Sequence, residues 1–119
     1  DVQGYNQLPT NGERLIITSS LKDVLCLTSA GYNAIAMQSE MQTPEEKLIS
    51  ELKERFTTIE ILYDNDFEKI NNPGQTMARK ICDLYGFTNI CIPTNYESKD
   101  PSDLVSNTGG FKNLKIILK

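Results

Sequence analysis

Asp64-Asn65-Asp66 carries the strongest chemical signal in the sequence. It follows directly on residues 58–63 (TIEILY), a β-branched apolar run. Two carboxylates one residue apart at a strand end can turn to the same side. Hard oxygen ligands of this kind suit Mg²⁺, which keeps several waters and binds phosphate. An Asx-rich turn accounts for the same spacing. A second acidic segment is Ser98-Lys99-Asp100-Pro101-Ser102-Asp103. Asp100 and Asp103 share a helix face if a helix begins here. Asp100 serves equally well as a plain N-cap before a proline at the first helical position.

A third candidate is Thr18-Ser19-Ser20-Leu21-Lys22-Asp23. Helix N-terminal amides and two hydroxyls could hold a phosphate there, with Lys22 as a point charge. A serine cap beside a solvated Lys–Asp pair accounts for the same residues. Glu40, in Gln38-Ser39-Glu40, stands at the end of a short apolar run and means little alone. Asn72-Pro73-Gly74-Gln75-Thr76 lacks the Gly-Lys-Ser/Thr ending of a phosphate-cradling loop. The five tyrosines do not cluster along the chain, so no base-stacking platform is legible. The chain has no histidine. That removes Ser-His and Cys-His nucleophile systems and His-ligated zinc, and leaves carboxylates, Lys, Arg, hydroxyls and bound metal.

The elements that must position these groups alternate. Residues 14–18 (RLIIT), 33–37 (NAIAM), 58–63 and 89–92 (NICI) read as buried strands. Between them, a helix capped by Ser19 or Ser20 runs to about residue 29 and is ended by Gly31. A second opens at Thr43-Pro44-Glu45-Glu46, with Thr43 as N-cap and Glu46 completing a capping box. A third covers residues 74–85 and is closed by Gly86. A short helix is expected over 100–106, and the tail NLKIILK fits helix or strand. Strands alternating with helices predict an α/β fold with parallel pairing and helices on both sheet faces. Sites in such folds form at the carboxyl ends of the strands.

Length and charge set the outer bounds. The 119 residues suit one domain. Residues 1–13, with Gly4, Pro9 and Gly12, read as a linker or N-terminal extension, and 14–119 as the domain. The first residue is not Met, and both ends read as cuts through a longer chain. The net charge of −4 argues against gripping nucleic acid by bulk electrostatics alone. From Ser98 onward four Lys oppose two Asp, giving a local +2. Cys26, Cys82 and Cys91 lie in apolar stretches without a Cys-x-x-Cys, as expected for reduced thiols in a cytoplasmic protein. No apolar run approaches the length of a membrane span, and no signal peptide opens the chain.

In order, these segments resemble the Toprim domain of bacterial and phage primases, topoisomerases and some nucleases, over about residues 14–108. Asp64 and Asp66 match the family's Asp-x-Asp, and Gly74 and Ala78 match the helix that follows it. Lys99, Asp100 and Asp103 match the late Lys-Asp-x-x-Asp/Glu segment of primase-like members. Lys22 and Asp23 match the stretch after the first motif, but the family's Glu-Gly is replaced by Ser19-Ser20. In the family that glutamate is the proposed general acid/base, and an ordinary serine cannot act as a carboxylate base. The chain looks most like phage replication proteins with a Ser-Leu-Lys-Asp first motif and a Ser-Glu after the second strand.

The resemblance implies a three-layer domain with a mostly parallel sheet of four or five strands. It implies Mg²⁺ or Mn²⁺ held by Asp64, Asp66, Asp100 and Asp103. Phosphates would meet Ser19, Ser20, Lys22 and Lys99. Glu40 would supply the missing carboxylate beside a catalytic Asp64 and Asp66. The implied activity is primer synthesis by nucleotidyl transfer on single-stranded DNA from nucleoside triphosphates. Helicase or zinc-binding domains of a parent chain would supply template binding, with no membrane involved. A degenerate module that binds nucleic acid or a partner, or a Toprim nuclease, fits the same motifs.

Overall fold

The computed structural model describes residues 2–119; residue 1, the first of the expected extension, lies outside the described residues. Four strands form one all-parallel sheet: β1 (Gly12–Thr18), β2 (Ala34–Ala36), β3 (Phe56–Leu62) and β4 (Thr88–Asn89), in the order β2-β1-β3-β4. Strand alternation splits the core in two. Leu15 and Ile17 of β1, with Ile59 and Ile61 of β3, face α2 (Glu46–Arg55) and α3 (Pro73–Tyr85). Ile16 and Leu62 face α1 (Leu21–Ser29), α4 (Pro101–Thr108) and α5 (Lys112–Ile117). With both faces covered, a strand must be apolar throughout, and this is why RLIIT reads as a run rather than an alternation. Among the described residues, no helix is long and apolar enough to cross a membrane.

Two expectations are corrected, and one left open is settled. Helix α2 begins at Glu46, with Glu45 at the cap position and no capping side chain, so Thr43 does not cap it. The Pro44 carbonyl accepts the Tyr85 hydroxyl at 2.8 Å, and the first helical bond runs from the Ile49 amide to the Glu45 carbonyl. The fourth strand shrinks to Thr88–Asn89. The Ile90 amide still reaches the Ile61 carbonyl, but the Ile92 carbonyl accepts the Asn65 side chain, which ends the ladder. Of the two forms open to the tail it takes the helical one, and the sheet among the described residues has four strands. The segment before β1 packs on the domain: Gln3 bridges Ala36, and Val2, Tyr5 and Leu8 lean on the α2/α3 core.

Helix α3 presses against the end of β3 at Gly74. A Cβ at that position would lie 2.2 Å from the Asp64 carbonyl oxygen. Backbone cannot yield as a flexible side chain can, so the helix start would have to move. Gly74→Ala is expected to cost about 1–3 kcal/mol. Melting should fall by roughly 4–12 °C in differential scanning calorimetry. An unchanged melting temperature would show that this contact does not constrain the fold.

Candidate metal centre

Three carboxylates converge at the carboxyl edge of the sheet. Asp23, Asp64 and Asp100 each offer an oxygen, and these oxygens lie within 4.8 Å of one another. Each comes from a different part of the chain: the first turn of α1, the residue after Tyr63 beyond β3, and the cap of α4. The ends of β1 and β3 are fixed side by side, with Thr18 opposite Leu62 and the Thr18 hydroxyl donating to the Leu62 carbonyl at 2.8 Å.

Asn65 brings the third carboxylate in. Its amide donates to the Lys99 carbonyl at 2.7 Å, and its side-chain Nδ2 donates to the Ile92 carbonyl at 2.8 Å. Its Oδ1 accepts from Asn72 Nδ2 at 2.7 Å. One buried amide side chain therefore joins the end of β3, the 92–99 segment and the cap of α3. Gln75 continues the network by donating to the Tyr63 and Asp64 carbonyls.

Two helix starts meet at the cluster. Ser20 caps α1 by accepting from the Asp23 amide, and its hydroxyl donates to Asp23 Oδ2 at 2.9 Å. Asp23 Oδ1 accepts the Ser102 amide of α4 at 3.1 Å. Asp100 caps α4 through Oδ1, which accepts the Asp103 amide at 2.8 Å, while Oδ2 lies 3.5 Å from Lys22 Nζ. Asp100 is thus both a cap and a cluster member. The positive ends of α1 and α4 offset part of the negative charge.

Burial first, and the remaining repulsion second, show in the proton affinities. Burial pushes Asp64 up to about 6; the Ser19 hydroxyl, donating to Asp64 Oδ1 at 2.8 Å, opposes this, while Glu40, Asp100 and Asp23 add to the rise. Asp23 is raised by burial and then by Asp100. Glu40 is raised by burial and by Asp66, against the Ser19 hydroxyl and the Asp64 amide. Lys22 is raised, chiefly by Asp100.

The expected residues divide accordingly. Asp64 and Asp100 are in the cluster, and Glu40 lies beside Ser19 and Asp64. Asp66 is not in the cluster: its Oδ2 accepts the Gly74 amide at 2.8 Å and so holds the start of α3. Asp103 and Lys99 line a neighbouring pocket of about 230 Å³ with Asp66 and Lys69. Ser19 and Ser20 direct their hydroxyl hydrogens at carboxylates. Asp23 is the member of the cluster that sequence reasoning missed. Its place three residues after a serine cap, at the exit of the first strand, was the available signal.

The donor set fits a hard divalent cation. Adjacent ligand oxygens on an octahedral Mg²⁺ lie about 3.0 Å apart, so three oxygens within 4.8 Å of one another would draw inward around a bound ion. All three are carboxylates, with no sulfur or nitrogen donor to favour a softer metal.

A group with raised folded-state proton affinity contributes stability below its unfolded value and loses it as pH rises through its folded value. In EDTA, stability should therefore fall between about pH 4 and pH 6 as Asp64 ionises. Asp64→Asn removes the charge and keeps an acceptor for Ser19. It should flatten that pH dependence and melt higher than wild type at pH 8. A lower melting temperature for Asp64→Asn under those conditions would contradict the electrostatic account.

No known protein-family model matches this sequence, and no curated protein matches it significantly.

Proposed function

We propose that this chain is the metal-binding module of a primase-type replication protein, Toprim-like in fold, which uses Mg²⁺ or Mn²⁺ for nucleotidyl transfer in primer synthesis. The convergence of Asp23, Asp64 and Asp100 carries the reading. The cation would supply charge neutralisation for the transferring phosphoryl group. Asp23, Asp64 and Asp100 would hold it. Ser19 keeps the Asp64 carboxylate turned toward the cluster. Glu40 supplies a carboxyl whose proton affinity burial raises, which would suit it to taking a proton from the attacking hydroxyl. Lys99 and Lys69, on the pocket beside the cluster, offer charge to incoming phosphates. Single-stranded template would be bound mainly by other domains, in keeping with the net charge of −4.

A second reading is a module that binds cation and nucleotide without synthesis. The observation in its favour is Ser19 in the place of the resembled family's glutamate, directed at Asp64.

Melting in Mg²⁺ or Mn²⁺ tests the site. At a hundred times the dissociation constant a cation adds about 2.7 kcal/mol, on the order of 10 °C for a domain of this size. Wild type should show this rise and Asp64→Asn should not; a flat wild-type curve across millimolar metal ends the metal reading. Primer synthesis on single-stranded DNA, by the protein that carries this chain, tests the activity. Glu40→Gln should slow it about a hundredfold or more with the metal midpoint nearly unmoved. Normal metal binding with no synthesis in wild type selects the second reading.

A further inference from the structure

The carboxylate cluster already has a cation seated on it. Lys22 Nζ lies 3.5 Å from Asp100 Oδ2, and the Lys22 side chain is 59% exposed while that of Asp100 is 4% exposed. Among the described residues, no other Lys or Arg comes within 4.0 Å of Asp23, Asp64 or Asp100. Lys22 sits in the first turn of α1, one residue before Asp23, so its long stem is anchored beside the cluster while its head stays wet. That is the geometry of a removable counter-ion. An ammonium is a point charge with no directional fork, and it can leave a carboxylate without breaking a paired contact.

Resting on the metal reading above, we propose that Lys22 is a tethered competitor for the divalent cation: its ammonium neutralises the empty cluster, and a metal ion must displace it from Asp100. The lysine thereby sets the metal concentration at which the site fills. Once displaced, it stands beside the filled site as a free positive charge, available to the phosphates that a bound cation draws in.

The competition has a sign opposite to that of a supporting role. Were Lys22 needed to hold Asp100 in place, its loss would weaken metal binding. As a competitor, its loss tightens binding. An exposed pair contributes modestly, so the expected tightening is about twofold to tenfold.

Mn²⁺ binding, followed by the electron paramagnetic resonance signal of the free ion, reads this directly. Lys22→Met should bind Mn²⁺ about twofold to tenfold more tightly than wild type, and Lys22→Arg, which keeps the charge and adds a fork, should bind it no more tightly than wild type. Lys80→Met, on an exposed position of α3, makes the same change in net charge away from the cluster and should leave the affinity unchanged. Equal affinity in wild type and Lys22→Met overturns the competitor while the metal site stands. Weaker binding in Lys22→Met overturns it in favour of a supporting lysine. If Lys80→Met tightens binding as much as Lys22→Met, the effect is net charge and the proposal also falls. If neither wild type nor Lys22→Met binds Mn²⁺, the metal reading fails and this proposal with it.

Discussion

Three like charges have to be held within a few ångströms of one another, partly out of water, and everything at the carboxyl edge of this sheet serves or offsets that requirement. Coulomb repulsion at such distances is several-fold stronger near a protein surface than in bulk water. The clasp that enforces it is Asn65. Its main chain and side chain both bond to the 92–99 segment, so the residue between two aspartates delivers a third from far along the chain. A carboxamide suits the task because it donates and accepts at once without adding charge. Its donor takes the Ile92 carbonyl, and its acceptor takes Asn72.

The topology makes the clasp possible. Parallel strands all end at one edge, and the order β2-β1-β3-β4 makes β1 and β3 neighbours at the centre. The chain leaves β1 toward one face and β3 toward the other, since α1 and α3 pack on opposite sides. A crevice at such a divergence is where ligands settle in open α/β sheets. The first turn of α4 then aims its amides at the carboxylates that line it, and the first turn of α1 reaches Asp23 through the Ser20 hydroxyl. Core packing supplies the stability against which the charge cluster is maintained. Fully buried Ile16, Ile17, Ile61 and Leu62 lie immediately behind it.

Much of this was legible in the sequence, and the exceptions have physical causes. Doubly covered strands, the Ser20 and Asp100 caps, and the Gly86 stop follow from local rules, and each was readable from a few adjacent residues. The misses depended on distant partners. Nothing near Pro44 announces that Tyr85 will take its carbonyl, and nothing near Ile92 announces Asn65. The site divides the same way. Asp64 was visible as the end of a strand. Asp66 looks equivalent by spacing, but it lies outside the group formed by Asp23, Asp64 and Asp100, and its Oδ2 accepts the Gly74 amide at the start of α3. Asp23 looked like half of a solvated Lys–Asp pair, and only the docking of α4 against α1 buries it among carboxylates.

Ser19 bears on why the cluster survives without a cation at all. A glutamate there, as in the resembled family, would add a carboxylate to a place already facing Asp64 and near Glu40. Serine supplies a hydrogen-bond donor instead, and a donor to the charged form lowers its cost. Ser19 thus gives attraction at Asp64 where another carboxylate would give repulsion. Together with the Lys22 ammonium and two helix starts, it leaves the metal-free edge of the sheet partly neutralised by the chain's own groups. The consequence runs in both directions. A site that is comfortable empty would gain less from a cation that entered, so the same groups that stabilise the free protein would raise the concentration of metal required to fill it.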